Sequence, residues 1–478
     1  MSNGHNGLSI SSTVPAMTTL YSARWVLPVS SNAIADGAIA VEDEVIVAVG
    51  KRAALVTQFP EATVRDFGGS AIIPGLVNSH SHLELTAMRG LLETEETDFF
   101  AWLKKLTTVR LERMTAEDLN VSAAWGVCEA ARAGVTCVAD ASDSASESMK
   151  ALCDVGLRGI VFQESFGPDP RLAKENFEKL KAKVARLREL ETELVKCGVS
   201  PHAPYTVCAP QLEMIAEFSL AESLPVMMHA AETRMEVSLM RDGSGIFAEG
   251  LRSRGIEWRA PGVSTIQYLN EHGLLQTRPL LAHCIHVDDA DIETMKKTET
   301  RVAHCPKSNA KLGHGVAPFA KFFGSGIAVG LGSDSVASNN TCDLLEEARF
   351  ALLLARAKVS ANIGDLDRDE AADPEGAILG ANEVVNGATL GGARALGLAG
   401  LTGELRTGLQ ADFVVVALDG PHQIPSYDPA STLVFASSGR DVSLTVVAGR
   451  EVYRDGRVTT VDEERLRARM SEIAAKLR

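Results

Sequence analysis

Ala71-Ile-Ile-Pro-Gly-Leu-Val-Asn-Ser-His80-Ser-His82-Leu-Glu84 runs an apolar, extended stretch directly into two histidines spaced two apart. Side chains alternate along an extended chain, so both imidazoles point to one side and can grip a single ion. A lone His-x-His pair is common among surface and core histidines. Here the layout repeats. Val226-Met-Met-His229-Ala-Ala-Glu232, Leu280-Leu-Ala-His283-Cys-Ile-His286 and Gly330-Leu-Gly-Ser-Asp334-Ser-Val-Ala-Ser338-Asn339 each end a short apolar run in polar, metal-capable side chains.

Working outward, eight segments read as strands: Ala71–Val77, Val135–Asp140, Gly159–Gln163, Gly198–Pro201, Pro225–His229, Pro279–His283, Arg301–His304 and Ala328–Gly332. Helical stretches such as Arg171–Lys196, dense in Lys/Glu pairs, and Thr341–Lys358 separate them. Strands alternating with helices over this span predict an α/β fold, a (β/α)8 TIM-type barrel, whose chemistry sits where strands end. Both chain ends have another texture, of short alternating segments broken by Gly, Asn and Asp, such as Ala23–Leu27, Val45–Val49, Ala411–Ala417 and Val442–Val447. The expected organisation is a small β-sandwich from residues 13–70 and 400–465, the barrel over 71–399, and a C-terminal helix over 466–478.

Composition narrows the function. Of 478 residues, 45% are hydrophobic and 23% charged, as in an ordinary globular protein, and 47 Lys+Arg against 62 Asp+Glu leave a net charge of −15. That balance offers nucleic acid or an anionic membrane no general attraction. No apolar run reaches the roughly 18 residues that span a bilayer, and residues 1–23 lack the basic start of a secretory signal. Eight scattered cysteines without a Cys-x-x-Cys pair fit a reducing compartment, so a cytoplasmic location is expected. Met1–Ser12 is polar and expected to fray, and the acidic run 365–375 reads as a solvated loop.

His80, His82, His229 and Asp334 together make a sensible donor set for a divalent ion such as zinc, leaving Glu232 and His283 to act on substrate and water. A divalent ion acidifies the water it holds to near neutral pH. His286 precedes Asp288-Asp289-Ala-Asp291, a helix start, and is expected at the surface.

The chain resembles the amidohydrolase superfamily, in the branch of metal-dependent aminohydrolases that holds S-adenosylhomocysteine and methylthioadenosine deaminases, aminofutalosine deaminases and triazine hydrolases. The likeness covers residues 19–460 and rests on the Pro-Gly-Leu-Val-Asn-x-His-x-His opening, His202-Ala-Pro-Tyr205, His229-x-x-Glu232, His304-Cys-Pro-Lys-Ser-Asn309 and Gly332-Ser-Asp334. It implies one metal ion, Zn2+ with Fe2+ or Mn2+ as alternatives, held by His80, His82, His229 and Asp334. It further implies Glu232 as the proton carrier, with His283 and Asp334 orienting the attacking water. Binuclear relatives use a carboxylated lysine on the fourth strand. Here Lys196 precedes that strand and His202 stands at its active end, so a mononuclear site is expected.

The resemblance also implies a small heterocyclic substrate, a homo-oligomer, and His202, Trp102, Ser308 and Asn309 near the substrate. Nucleoside deaminases of the branch place a glutamate on the ribose where this chain has Leu111. The stretches His80-Ser-His82-Leu-Glu84-Leu, Asp98-Phe-Phe-Ala-Trp-Leu103, Arg241-Asp-Gly-Ser-Gly245 and Lys311-Leu-Gly-His314-Gly are similar to aminofutalosine deaminases. Glu84 is either a substrate contact on the face of His80 and His82 or a solvated carboxylate. The expected reaction replaces an amino group on an adenine-type nucleoside by hydroxyl. Aminofutalosine leads, with S-adenosylhomocysteine, methylthioadenosine, a pterin, a guanine-like base or a triazine as alternatives. A catalytically dead, ligand-binding barrel would have lost the metal donors or Glu232, and both are kept.

Overall fold

The structure, a computed structural model, describes residues 17–363 and 379–478, the side chains of 359–363 excepted. Met1–Ser12 and the acidic run 365–375 lie outside the described residues. Eight parallel strands form the barrel: β1 (Leu76–Ser81), β2 (Val135–Ser142), β3 (Arg158–Ser165), β4 (Val195–Pro201), β5 (Met227–Ala230), β6 (Leu280–His283), β7 (Arg301–His304) and β8 (Val329–Leu331). They pair as two four-stranded halves, β1 to β4 and β5 to β8. Parallel bridges Val199↔Val226 and Ser81↔Asp334 join the halves into a closed ring. Alternation fills it: Val77, Cys137, Ala139, Phe162, Met227 and Leu280 pack inside, while Val138, Val161, Met228 and Leu281 face the helices.

The first barrel strand departs from the sequence reading. Ala71–Pro74 is a strand of the terminal sheet, pairing antiparallel with Phe413–Val416 and in parallel with Trp25 and Val26. The barrel begins after Gly75, at Leu76, so the boundary falls at Gly75 rather than before Ala71. One apolar run holds two strands because Gly75 lets the chain pass against Thr136, whose Oγ1 would lie 2.0 Å from a Cβ there. The C-terminal helix also starts earlier than residue 466, at Glu463, with Asp462 as its N-cap.

Both chain ends supply a nine-stranded sheet ordered Arg457–Val458, Arg450–Arg454, Val442–Val447, Phe413–Val416, Ala71–Pro74, Thr19–Val26, Ile34–Glu42, Val45–Lys51, with Thr63–Asp66 beside Thr19–Val26. One continuous sheet curls back on itself to make this domain. The Ile46 amide donates to Leu409 O at 2.9 Å and the Ala411 amide to Glu44 O at 2.7 Å, drawing strands from the two ends together over a core of Tyr21, Ile39, Ile46, Phe413 and Leu444. A buried ion pair ties this sheet to the barrel, with Arg158 Nε donating to Asp412 Oδ2 at 2.9 Å.

Candidate active site

Three strand ends and the closing bridge bring the sequence-selected residues together. His80 and His82 come from the end of β1, His229 from β5, His283 from β6, and Asp334 follows β8. Closure is built by side chains as well as strands. Asn78 Nδ2 donates to Ser333 Oγ at 2.8 Å, its Oδ1 accepts from the Ser333 amide at 2.9 Å, and the Asp334 amide donates to His80 O at 2.9 Å. Asp334, His283, Cys284 and Ala231 all adopt left-handed backbone, with φ of 57°, 72°, 46° and 51°. Such strain on non-glycine residues persists where surrounding contacts over-determine the chain, and it clusters at working sites.

The imidazoles present lone pairs to one point. His229 Nδ1 lies 2.8 Å from the carbonyl of His202, which only accepts, so Nδ1 carries the proton and Nε2 keeps its lone pair. His80 Nδ1 lies 3.2 Å from the Met227 thioether, and its buried Nε2 has no hydrogen-bond partner. His82 Nε2 and His229 Nε2 are 3.1 Å apart, and Asp334 Oδ1 sits 3.4 Å from His80 Nε2 and 3.6 Å from His82 Nε2. Two lone-pair nitrogens in contact beside an orphaned third and a carboxylate oxygen are what a divalent cation would satisfy, so the donor set fits the implied ion. Burial, reinforced by His80, pushes His82 down to about 4, and burial with the neighbouring imidazoles holds His229 well below its ordinary value. Neutral imidazoles are the ligating form.

The remaining groups split by environment. Burial raises Glu232 to about 7, against the pull of His283. Its Oε1 lies 3.7 Å from His283 Nε2 and 3.6 Å from His314 Nε2, and the Tyr205 hydroxyl hydrogen-bonds it. Burial opposes a charge on His283, but Glu232 and Asp334 outweigh it and raise the imidazole. Burial works against ionisation of Asp334 too, and His80 and His283 nonetheless hold it well below the carboxylate range. The site thus holds an ionised aspartate beside a glutamate poised near neutrality, the division of labour that proton transfer needs.

These groups open into a cavity of about 590 Å³ lined by His82, His202, His229, Glu232, His283 and Asp334 at its floor and by Phe99, Phe100, Trp102, Phe166, Tyr205 and Phe247 along its walls. A second cavity, of about 420 Å³, is bordered by residues that precede β6, β7 and β8, such as Arg278, Thr300 and Ala328, at the end opposite the histidines.

A family model described as "Amidohydrolase family" matches residues 71–452, and a shorter one, "Imidazolonepropionase-like composite domain, bacteria", matches 37–62. The chain belongs to the amidohydrolase family. It is 34% identical over 414 residues to a 5-methylthioadenosine/S-adenosylhomocysteine deaminase of Haloarcula marismortui, covering 86% of this chain and 88% of that protein. It is 32% identical over 435 residues to one of Pyrococcus furiosus, covering 90% and 93%. The crystal structure of a zinc-bound adenosine deaminase from Xanthomonas campestris superposes with a TM-score of 0.82 at 27% identity, covering 96% of this chain and 98% of that one. An atrazine chlorohydrolase from Arthrobacter aurescens shares the fold, with a TM-score of 0.80 at 23% identity over 95% of this chain and 100% of that one. As a member of this family, the chain is a metal-dependent hydrolase acting on C–N bonds.

Within the amidohydrolase site, some sequence-selected residues stand elsewhere than expected. Ser308 and Asn309 do not line the cavity. Ser308 Oγ donates to Asp334 Oδ2 at 2.6 Å, joined by Ser338 Oγ at 3.0 Å, and Asn309 Oδ1 accepts from His283 Nδ1 at 2.9 Å. Both therefore bond Asp334 and His283 from outside the cavity lining. The extended geometry assumed for Glu84 ends at Ser81, and Leu83–Met88 is a 3-10 helix. Glu84 is buried there, taking Arg110 Nε at 2.8 Å and the Ser144 amide at 2.9 Å, which rules out the solvated carboxylate. His202, Trp102 and Glu84 do line the cavity. His286 is half-buried rather than at the surface. Lys196 is exposed at the N-terminal end of β4, away from the site.

Sequence reasoning missed three residues: His314, Glu164 and Glu236. His314 reaches Glu232 from beyond β7 and packs edge-on against Phe99, a contact no local pattern announces. Glu236 sits one helical turn after Glu232 and looks like any first-turn acid, yet it is fully buried, accepting from the Ala231 amide at 2.8 Å, the Glu232 amide at 3.1 Å and Thr265 Oγ1 at 2.6 Å. Thr233, which caps that helix, was the available signal for a turn packed against the site.

Proposed function

We propose that this chain is a zinc-dependent aminohydrolase that replaces the amino group of an adenine-type ring by hydroxyl, with loss of ammonia, on a nucleoside bearing a bulky 5′ substituent. The observation that carries the reading is the convergence of His80, His82, His229 and Asp334 with Glu232 and His283 on the floor of one aromatic-walled cavity. The deaminase relatives support the adenine-type ring. When bound, the ion supplies positive charge that makes water acidic at neutral pH.

Glu232 accepts a proton from the attacking water, a task for which a carboxyl near neutrality is suited, and delivers it to the ring nitrogen beside the reacting carbon. His283, held in orientation by Asn309, faces the same water and steadies negative charge as it develops. Asp334, its Oδ2 fixed by Ser308 and Ser338, keeps Oδ1 turned to the cluster. Addition at the ring carbon and breakage of the C–N bond then release ammonia.

For the substituent, we infer an arm ending in a carboxylate, with aminofutalosine as the leading substrate. Lys104 and Arg254 border the cavity, and among the described residues neither has a carboxylate partner. A carboxylate arm is shared by aminofutalosine and S-adenosylhomocysteine and absent from methylthioadenosine. Exposed Ile424, Tyr427 and Phe435, close together in the chain, support a homo-oligomer. Among the described residues no helix is long and apolar enough to cross a membrane. The test is ultraviolet-monitored conversion of adenine to hypoxanthine by zinc-loaded protein on aminofutalosine, S-adenosylhomocysteine, methylthioadenosine and adenosine. Preference for aminofutalosine is the expected result, and silence on all four with zinc bound would overturn the reading.

A further inference from the structure

Glu164 stands at the cavity without a task in the chemistry above. It is the penultimate residue of β3, 6% exposed, and borders the cavity. Its Oε1 has no hydrogen-bond partner. Arg110, a cation near it, is committed elsewhere: it gives Nε to Glu84 at 2.8 Å, Nη2 to Ser144 Oγ at 3.0 Å and Nη1 to Asp143 at 3.2 Å. Glu84 and Asp143 add like charge around it. A carboxyl buried among acids with an unmet oxygen destabilises the fold, so its presence calls for a partner that arrives from outside.

A carboxyl oxygen of Glu164 lies within 4.8 Å of ring nitrogens of both His202 and His229, which sets it beside the reacting ring rather than at the mouth. A second cation among these three is disfavoured by the hydrogen bonds in place. His229 Nδ1 is spent on the His202 carbonyl, its Nε2 faces His82, and His202 Nδ1 is engaged with Thr206 Oγ1 at 2.9 Å. What the position can take is a hydrogen-bond donor.

We propose that Glu164 is a specificity-determining residue that accepts a hydrogen bond from the substrate, from a sugar hydroxyl or from the amino group on the reacting carbon. The proposal rests on the deaminase reading. A site built around such a bond discriminates strongly against analogues that lack the donor, because the buried acceptor is then left unpaired. Leaving such a buried acceptor unpaired costs roughly 5- to 100-fold in binding of the transition state.

The experiment compares wild type, Glu164→Met, which keeps volume but no acceptor, and Glu164→Gln, which keeps one. Each is measured for kcat/KM on the best nucleoside and on its 2′-deoxy and 3′-deoxy forms, for zinc content and for Tm. The expected result is a kcat/KM at least 30-fold lower in Glu164→Met, partial recovery in Glu164→Gln, full zinc in both, and Tm unchanged or higher. If the donor is a hydroxyl, the matching deoxy compound is poor for wild type and loses nothing further in Glu164→Met. If it is the amino group, Glu164→Met loses equally on all three. A Glu164→Met enzyme within threefold of wild type overturns the proposal, as does loss of zinc or a Tm more than about 5 °C lower in both variants. A wild-type enzyme inactive on every nucleoside counts against the deaminase reading instead.

Discussion

Replacing Glu236 tests whether Glu232 is aimed by the chain around it. The Glu236 carboxylate takes three donors, the Ala231 and Glu232 amides and the Thr265 hydroxyl, and so clamps the turn in which Ala231 adopts φ 51°. Burial pushes this carboxyl up while those three donors pull it back. In Glu236→Gln one oxygen becomes an NH2 group that meets an N–H or O–H donor head-on, costing about 1.5–3 kcal/mol for the lost charge-assisted bond. If that cost is felt at Glu232, kcat falls about 10- to 100-fold, at roughly 1.4 kcal/mol per decade. KM and zinc content stay near wild type, because neither His229 nor the cavity walls bond to Glu236. Glu236→Ala strands two amides and a hydroxyl at about 1–3 kcal/mol each, and for a chain of 478 residues about 1 kcal/mol corresponds to roughly one degree of Tm. The assay is ammonia release with metal analysis and a thermal melt on the same preparations. A Glu236→Gln enzyme with wild-type kcat would refute the reasoning.

Glu232→Gln keeps its metal and lowers kcat by about 10²- to 10⁴-fold, and turnover at the parent rate would remove the proton-carrier role. His229→Ala loses metal and activity together, checked by atomic emission after gel filtration; full retention of zinc would break the ligand assignment. Since Glu232 works ionised and a bound cation favours that form, kcat/KM should climb with pH through a limb centred below about 7, whereas activity rising towards acid would contradict it. Arg158→Met leaves the buried Asp412 without its cation and should lower stability by about 3–5 kcal/mol, read as a Tm drop of a few degrees. A Tm equal to wild type would mean the pair does not clamp the sheet to the barrel.

Strand periodicity and the polar residue ending each apolar run made the barrel and the four candidate metal donors legible, because a strand end fixes both where a side chain lies and which way it faces. The same rule misled at Ala71–Val77. Two strands back to back look like one, and only the approach of Gly75 to Thr136 separates them. Residues that act through others were harder to see. Ser308 and Asn309 stood out by motif, but their bonds to Asp334 and His283 depend on how a helix after β7 settles against two neighbouring strand ends. Glu164 and Glu236 are ordinary acids in sequence. Their burial follows from long-range packing that no spacing encodes.

The splice at Gly75 also orders events during synthesis. Ala71–Pro74 leads straight into the strand bearing His80 and His82, yet one of its edges pairs with Phe413–Val416, more than 300 residues later. Until that late segment leaves the ribosome, the apolar strand beside His80 and His82 has an open edge, and Asp334 too arrives late. Such distant pairings close slowly and leave edges exposed to other chains. A nascent chain halted before residue 413 would thus hold all four candidate metal donors but lack the strand that seals Ala71–Pro74, and would be prone to aggregate through that edge.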